Sequence, residues 1–214
     1  MRLSSPGRPK DPFSAALDAL RLQLRGGRLI FGEPLTITNL AEDLGLSATP
    51  VREALSRLAG EGLIEDRRGR GYFARRVDVA DLVELYGLRC LYLVGALRNE
   101  AAGAAQGLGD RQLAFGEAAS TGGLMERFDR LMAQAGNRAL LDAYKLIADR
   151  LAPALAVEAS ILSSDDDVEA FDAAVAVGDR AALEHLVAAH HRARQVAAGE
   201  IVRAMRARSN ISNL

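Results

Sequence analysis

The 214-residue sequence has one cysteine, Cys90, so neither a disulfide framework nor a Cys-x-x-Cys metal knuckle can form within the chain. Tryptophan is absent and aromatic residues make up 5%, which excludes a single-strand binder built on an aromatic stacking platform. No segment has the unbroken apolar run of about 18 residues that a membrane span needs. Met1 to Lys10 lacks the apolar core of a signal peptide. These absences predict a cytoplasmic chain without membrane contact. Net charge is nearly absent too: 27 Lys and Arg face 28 Asp and Glu, for a total of −1. That excludes both a uniformly basic nucleic-acid coat and an acidic disordered tail. Lysine is almost missing, with only Lys10 and Lys145 beside 25 arginines, a bias attributed to the composition of the source genome.

The charge that is there is unevenly placed. Residues 1–77 carry 13 basic and 9 acidic side chains, and residues 78–214 carry 14 and 19. A basic front of +4 and an acidic back of −5 suggest halves with different partners.

Residues 1–11, rich in Pro, Gly, Ser and Arg, read as a disordered tail. Apolar residues at 13, 16, 17, 20 and 24 form a helical stripe, which Gly26-Gly27 ends. Thr36 is placed to cap a helix over 37–44 that stops at Gly45. Ser47 is placed to cap a third, with Pro50 in its first turn and Ala54, Leu55 and Leu58 on its inner face. Two short strands around a basic glycine turn follow, from Leu63 to Ala74. Two short helices separated by Gly45-Leu46-Ser47 are the helix-turn-helix pattern, whose second helix enters the DNA major groove. In that setting Ser47 and Thr49 suit phosphate, and Arg52 can fork onto a guanine edge. Arg67, Arg68 and Arg70, with Gly71, would form a wing against backbone or minor groove.

The run Leu40-Ala-Glu-Asp-Leu-Gly-Leu-Ser47, then Thr49-Pro-Val-Arg-Glu-Ala-Leu-Ser-Arg-Leu58, Glu61-Gly-Leu-Ile64 and Gly69-Arg-Gly-Tyr72, resembles the GntR family of bacterial transcription regulators. The back half resembles its FadR-type branch through Asp78 to Arg89, Phe128 to Asn137, and Gly178-Asp179 followed by His190. The resemblance implies a mainly α protein: a winged helix-turn-helix with a small β-hairpin over 12–77, an all-α effector and dimerisation bundle over 78–208, and a short tail at 209–214. It implies a dimeric regulator, expected to be a repressor, that binds double-stranded operator DNA. A small metabolite, often a carboxylate and frequently beside a divalent metal, would modulate it.

The sequence departs from the family at informative positions. Thr38 and Ala48 stand where relatives often carry arginine, so of these expected reading arginines only Arg52 remains. Both positions stay within the expected DNA-binding surface. The branch's metal pattern needs an Asp and a His four apart on one helix, then two more His 22 apart. Its positions hold Met125, Asp129, Val168 and His190 here. Two donors are too few for a firm transition-metal site, so no metal or other cofactor is expected. Asp129, His190 and Arg89 remain as effector-binding candidates, Arg89 because a guanidinium matches a carboxylate. Against that role, Arg89 is expected to pair with one of the bundle's acids, His190 to be a hydrogen-bonded helix residue, and His185 and His191 to lie on the surface.

Residues 179–205 read as one long amphipathic helix with Leu183, Val187, His190, Val196 and Ile201 on its inner face. Asp165-Asp-Asp167 suits a helix N-terminus. The Gly- and Ala-rich stretch after Glu100 predicts broken or short helices, and 31 of 39 alanines lie beyond residue 77. Cys90 reads as a packed, inert thiol. No nucleophile elbow, Walker loop, His-Glu-x-x-His or Rossmann glycine set is present, so an enzyme is not expected. The alternative to a regulator is a winged-helix interaction protein that has lost operator binding.

Overall fold

The computed structural model describes residues 11–26, 32–105, 123–163 and 165–211. Contacts divide the chain into two units, Met1–Arg76 together with Ser209–Leu214, and Val77–Arg208.

In the first unit, α1 (Pro12–Arg25) begins on Asp11, whose carboxylate accepts from the Ser14 amide at 3.0 Å. Residues 1–10 of the expected tail lie outside the described residues, whereas Asp11 is a helix cap. The stripe on α1 buries Ala16 and Leu20 against α3. Helix α2 (Ile37–Leu44) ends at Gly45, whose φ of 64° is the left-handed conformation glycine adopts without strain. Helix α3 (Ala48–Gly60) follows two residues later. Thr36 and Ser47 occupy the N-cap positions as expected, but neither side chain makes a capping hydrogen bond. Val51, Ala54, Leu55 and Leu58 form the buried face of α3 and leave Thr49, Arg52, Glu53 and Ser56 on the outer one.

The hairpin is part of a three-stranded antiparallel sheet. Strands β2 (Ile64–Arg67) and β3 (Gly71–Ala74) pair with Asp66 opposite Tyr72. A short strand β1 (Pro34–Leu35), absent from the sequence reading, pairs along the other edge of β3. Two residues are too few to show alternation, so the period-2 signal cannot find such a strand. At the tip, the Arg70 amide donates to the Arg67 carbonyl at 2.7 Å, and Gly69 takes a φ of 72°.

The second unit is all helical: α4 (Val79–Ala105), α5 (Leu124–Gln134), α6 (Arg138–Glu158), α7 (Asp165–Val177), α8 (Arg180–Val196) and α9 (Ala198–Ile211). Helix α4 packs on α5, α6 and α8, and α7 on α5 and α8. Leu93, Leu97, Phe128, Leu131, Phe171, Leu183 and Val187 form the shared core.

Helix α4 continues through Ala101–Ala105, past Gly103, where broken helix was expected. The rest of that Gly- and Ala-rich stretch, 106–122, lies outside the described residues. The single helix expected over 179–205 is two helices, divided at Ala197. Val196, expected on the inner face, is 90% exposed at the end of α8. The buried row of α9, Ala198, Ile201, Val202 and Met205, continues the helical spacing of Leu183, Val187, His191 and Arg194 on α8, and Val196 falls on the side opposite to it. The expected tail from 209 is helical to Ile211, and 212–214 lie outside the described residues. Among the described residues, no helix is long and apolar enough to cross a membrane.

Candidate functional site

The outer face of α3 and the hairpin tip hold the sequence-predicted DNA-binding residues. Thr38, Ser47, Ala48, Thr49 and Arg52 are all exposed, as are Arg68, Arg70 and Gly71. Ser47 and Thr49 begin α3, where its first amides carry the positive end of the helix dipole. Arg52, Arg68 and Arg70 form no side-chain hydrogen bond or ion pair with any described residue. Neighbouring arginines behave differently: Arg57 and Arg21 both engage Glu61, at 2.7 and 2.6 Å, tying α1 to the end of α3.

Arg67 is also engaged. Its guanidinium bonds the Glu65 carboxylate at 2.8 Å and lies 4.1 Å from the centre of the Phe73 ring. Strand periodicity explains the cluster. Glu65 and Arg67, two apart, share a face, and Phe73 lies opposite Glu65 in the β2–β3 register. Of the three wing arginines, Arg67 is held along the sheet while Arg68 and Arg70 reach outward.

A buried polar layer crosses the second unit. Arg89 on α4 is 2% exposed. Its Nη2 donates to the Tyr144 hydroxyl at 3.1 Å, and that hydroxyl donates to the Asp129 carboxylate at 2.8 Å. The expected salt bridge is not made: among the described residues no carboxylate lies within ion-pair distance of Arg89, and its Nε has no partner. Phe128 and Tyr144 flank the guanidinium at 5.7 and 5.5 Å instead.

His190 is buried on α8, and its Nδ1–H donates to Asp167 at 2.9 Å. Asp167 thus does more than begin α7. His191, expected on the surface, is 1% exposed. Leu183, Val187, His190, His191 and Arg194 are all buried on α8, a helical spacing that could have placed His191 inside from sequence. Its Nδ1–H donates to the Val187 carbonyl at 2.7 Å, which leaves the Nε2 lone pair without a donor among the described residues. Burial foremost, then the charges of Arg194 and Arg89, depress His190 to about 3. Burial likewise brings His191 to about 3 against the opposing Val187 bond. Both rings are neutral at pH 7, so the His190–Asp167 contact is a hydrogen bond to a neutral imidazole.

A second polar group was not anticipated. Tyr86 donates a very short hydrogen bond to Glu158, and the Nε of Arg194 donates to the same carboxylate at 3.3 Å. Glu158 and Arg194 line a cavity of about 650 Å³ with Leu124, Met125, Leu155, Ser160 and Ser163. Cys90 is half-buried in α4, and desolvation raises its thiol pKa, which disfavours the reactive thiolate.

The resemblance to the FadR-type branch implies a metal, and the residues do not fit one. Met125 lines the cavity and Val168 packs on the apolar core. Of the four positions only Asp129, which accepts from Tyr144, and His190 carry a ligating side chain. Among the described residues no three His, Cys, Asp or Glu are grouped to hold an ion.

Residues 13–73, which contain the helix-turn-helix and the wing, match the family described as bacterial regulatory proteins, gntR family. The protein named "Probable D-xylose utilization operon transcriptional repressor" of Paenarthrobacter nicotinovorans is 30% identical over 197 residues, covering 83% of this chain and 84% of its own length. The chain belongs to the GntR family. The all-helical second unit of this GntR-family regulator fits the FadR-type branch. The Nta operon transcriptional regulator of Aminobacter aminovorans is 40% identical over 67 residues, 31% of this chain and 32% of its own. Two solved structures share the fold. Escherichia coli McbR/YncC has a TM-score of 0.62 at 22% identity, over 89% of this chain and 98% of that one. A GntR protein of Rhodococcus sp. RHA1 has a TM-score of 0.64 at 18% identity, over 90% and 98%. The chain is a DNA-binding transcription regulator, and its relatives are regulators rather than enzymes.

Proposed function

We propose that this GntR-family regulator is a dimeric repressor that reads a short pseudo-palindromic operator and responds to a small carboxylate effector. The observation that carries the DNA reading is the trio of exposed cations without a partner among the described residues, Arg52 on α3 and Arg68 and Arg70 on the wing. Arg52 reads a base edge, and the wing arginines neutralise backbone phosphate. Ser47, Ala48 and Thr49 bring the start of α3 against the backbone, Thr38 adds a contact from α2, and Gly71 lets the wing approach closely. With threonine at 38 and alanine at 48, the operator differs from those of relatives that carry arginine there.

Repression is supported by the name of the 30%-identical relative, which is a repressor. Dimerisation is supported by apolar side chains that α4 leaves exposed, Val79, Val83 and Leu91, the last at 68%. Effector control is supported by the polar layer, where Arg89 is the carboxylate clamp, with Asp129 and His190 beside it. An effector that prefers one dimer geometry shifts the spacing of the two α3 helices and so the affinity for DNA.

Gel shifts of the full chain on its own upstream DNA, across a salt series, test the reading. A fragment bound well above random DNA at moderate salt, with specificity lost in Arg52→Ala, is the expected result. If no fragment outcompetes random DNA, the chain is an interaction protein on a winged-helix scaffold and the proposal fails.

A further inference from the structure

The outer face of α3 carries a carboxylate as well as a cation. At about 100° per residue, Thr49 and Ser56 point almost directly away from the buried row of Pro50, Val51, Ala54, Leu55 and Leu58. Arg52 and Glu53 flank that line on opposite sides, each about 130° from the centre of the buried row. All four outer residues are exposed. Glu53 therefore stands as far forward on the reading helix as Arg52 does.

The folded domain gives this carboxylate no work. Among the described residues it makes no hydrogen bond or ion pair. Arg57 lies one turn further on, the favoured spacing for an intrahelical pair with Glu53. It is equally spaced from Glu61, and bonds that residue instead at 2.7 Å. Facing a DNA backbone, an unmatched carboxylate repels phosphate and weakens binding to every sequence alike. A hydrogen-bond donor on a base edge offsets that repulsion, and only on sequences that present it there.

The chemistry of the bases selects the donor. A carboxylate accepts hydrogen bonds and donates none. In the major groove guanine offers two acceptors, and thymine an acceptor and a methyl group. Adenine sets its N6 donor beside the N7 acceptor, whose lone pair opposes the second carboxylate oxygen. Cytosine presents its N4 donor with no acceptor of its own on that edge.

We propose that Glu53 is a second base reader, accepting from cytosine N4, so that each operator half contains a cytosine selected by Glu53 besides the guanine selected by Arg52. The inference rests on the DNA reading above and deepens it. Because the two side chains leave α3 on opposite sides of its outward line, they address different base pairs. Their signs give them different effects. Arg52 adds affinity and selectivity together, whereas Glu53 lowers affinity for random DNA and raises the contrast with the operator.

Selection of the full chain on a random duplex library, with the bound sequences read out, tests this. The unaltered chain should enrich half-sites with a fixed guanine and a fixed cytosine. Arg52→Ala should release the guanine and keep the cytosine. Glu53→Ala should do the reverse, removing a preference for cytosine of about ten-fold. Glu53→Gln, whose amide can fork onto adenine N6 and N7, should move the preference at that position from cytosine to adenine. N4-methylcytosine placed there should weaken binding by the unaltered chain and leave Glu53→Ala unaffected. Thermal melts should be unchanged in both Glu53 variants, since the side chain is exposed. If both variants select the same sequence as before, with affinity raised equally for all DNA, Glu53 only repels phosphate and the proposal is overturned. Failure of the unaltered chain to enrich any sequence would instead remove the DNA reading itself.

Discussion

The two adjacent buried histidines make the stability of the helical unit depend on pH well above the carboxylate range. Both are depressed from an ordinary 6.5 to about 3 in the folded chain. The unfolded chain therefore binds more protons than the folded one between pH 6.5 and 3, and stability falls as the pH drops through that window. From pH 7 to pH 5 an unfolded imidazole takes up about three-quarters of a proton while the folded ring takes up almost none. The linkage integral over those two units is roughly 2 kcal/mol per histidine, about 4 for the pair. At pH 5 the result depends on the unfolded value alone, so the exact depth of the folded pKa does not matter. Asp172 and Glu184, held below their ordinary values by Arg127 and Arg98, give up their contributions only in the carboxylate range, leaving this window to the imidazoles. Urea unfolding at pH 7, 6 and 5, followed by far-UV circular dichroism because the chain has no tryptophan, measures the effect. His191→Gln removes one titrating ring and should halve the pH dependence, whatever it does to stability at pH 7. A loss below about 1 kcal/mol between pH 7 and 5, or an undiminished loss in the variant, would refute buried neutral histidines.

Other substitutions address the DNA-binding unit. Arg52→Ala should cost roughly 1–3 kcal/mol of discrimination between operator and mismatched DNA, with an unchanged thermal melt, in competition gel shifts. Arg68→Ala and Arg70→Ala should weaken binding to all sequences and lower the slope of log affinity against log salt by about 1 per lost phosphate contact. Arg67→Ala should instead loosen the hairpin by releasing Glu65 and Phe73, seen as faster amide exchange in β2 and β3; an equal loss of salt slope would place Arg67 on the DNA. Gly45→Ala meets no atom within 4 Å, so only its left-handed backbone objects, and a loss of roughly 1–2 kcal/mol in chemical denaturation is expected.

The helix-turn-helix was readable in the sequence because its determinants are local. Gly45 stops α2 and permits the turn, Pro50 is tolerated in the first turn of α3, and the spacing of Val51, Ala54, Leu55 and Leu58 defines a single buried face. The same periodicity says which α3 residues face outward, so Thr49 and Arg52 were identifiable without coordinates. The wing was half readable. Three arginines around a glycine turn were evident, but the engagement of Arg67 depends on the strand register that sets Phe73 opposite Glu65. Strand β1 was invisible because its pairing with β3 is its only definition.

The helical unit was far less legible. Its helices could be found from apolar spacing, yet the break at Ala197 could not, because Ala197-Ala198 favours helix and the nearby glycine, Gly199, lies inside α9. Partners in the polar layer are separated by long stretches of chain: 55 residues between Arg89 and Tyr144, 23 between Asp167 and His190. Sequence alone therefore determined the charge division, the helix-turn-helix and the exposed Arg52, each a property of residue type and local period, whereas the metal-ligand positions at Met125 and Val168 were implied only by the family resemblance. Tertiary structure decided which polar groups are buried together, that Arg89 meets no carboxylate among the described residues, and that His191 is inside rather than out. The physical reason is that burial and pairing are set by packing between distant segments, whereas cost and opportunity at a buried charge depend on nothing else.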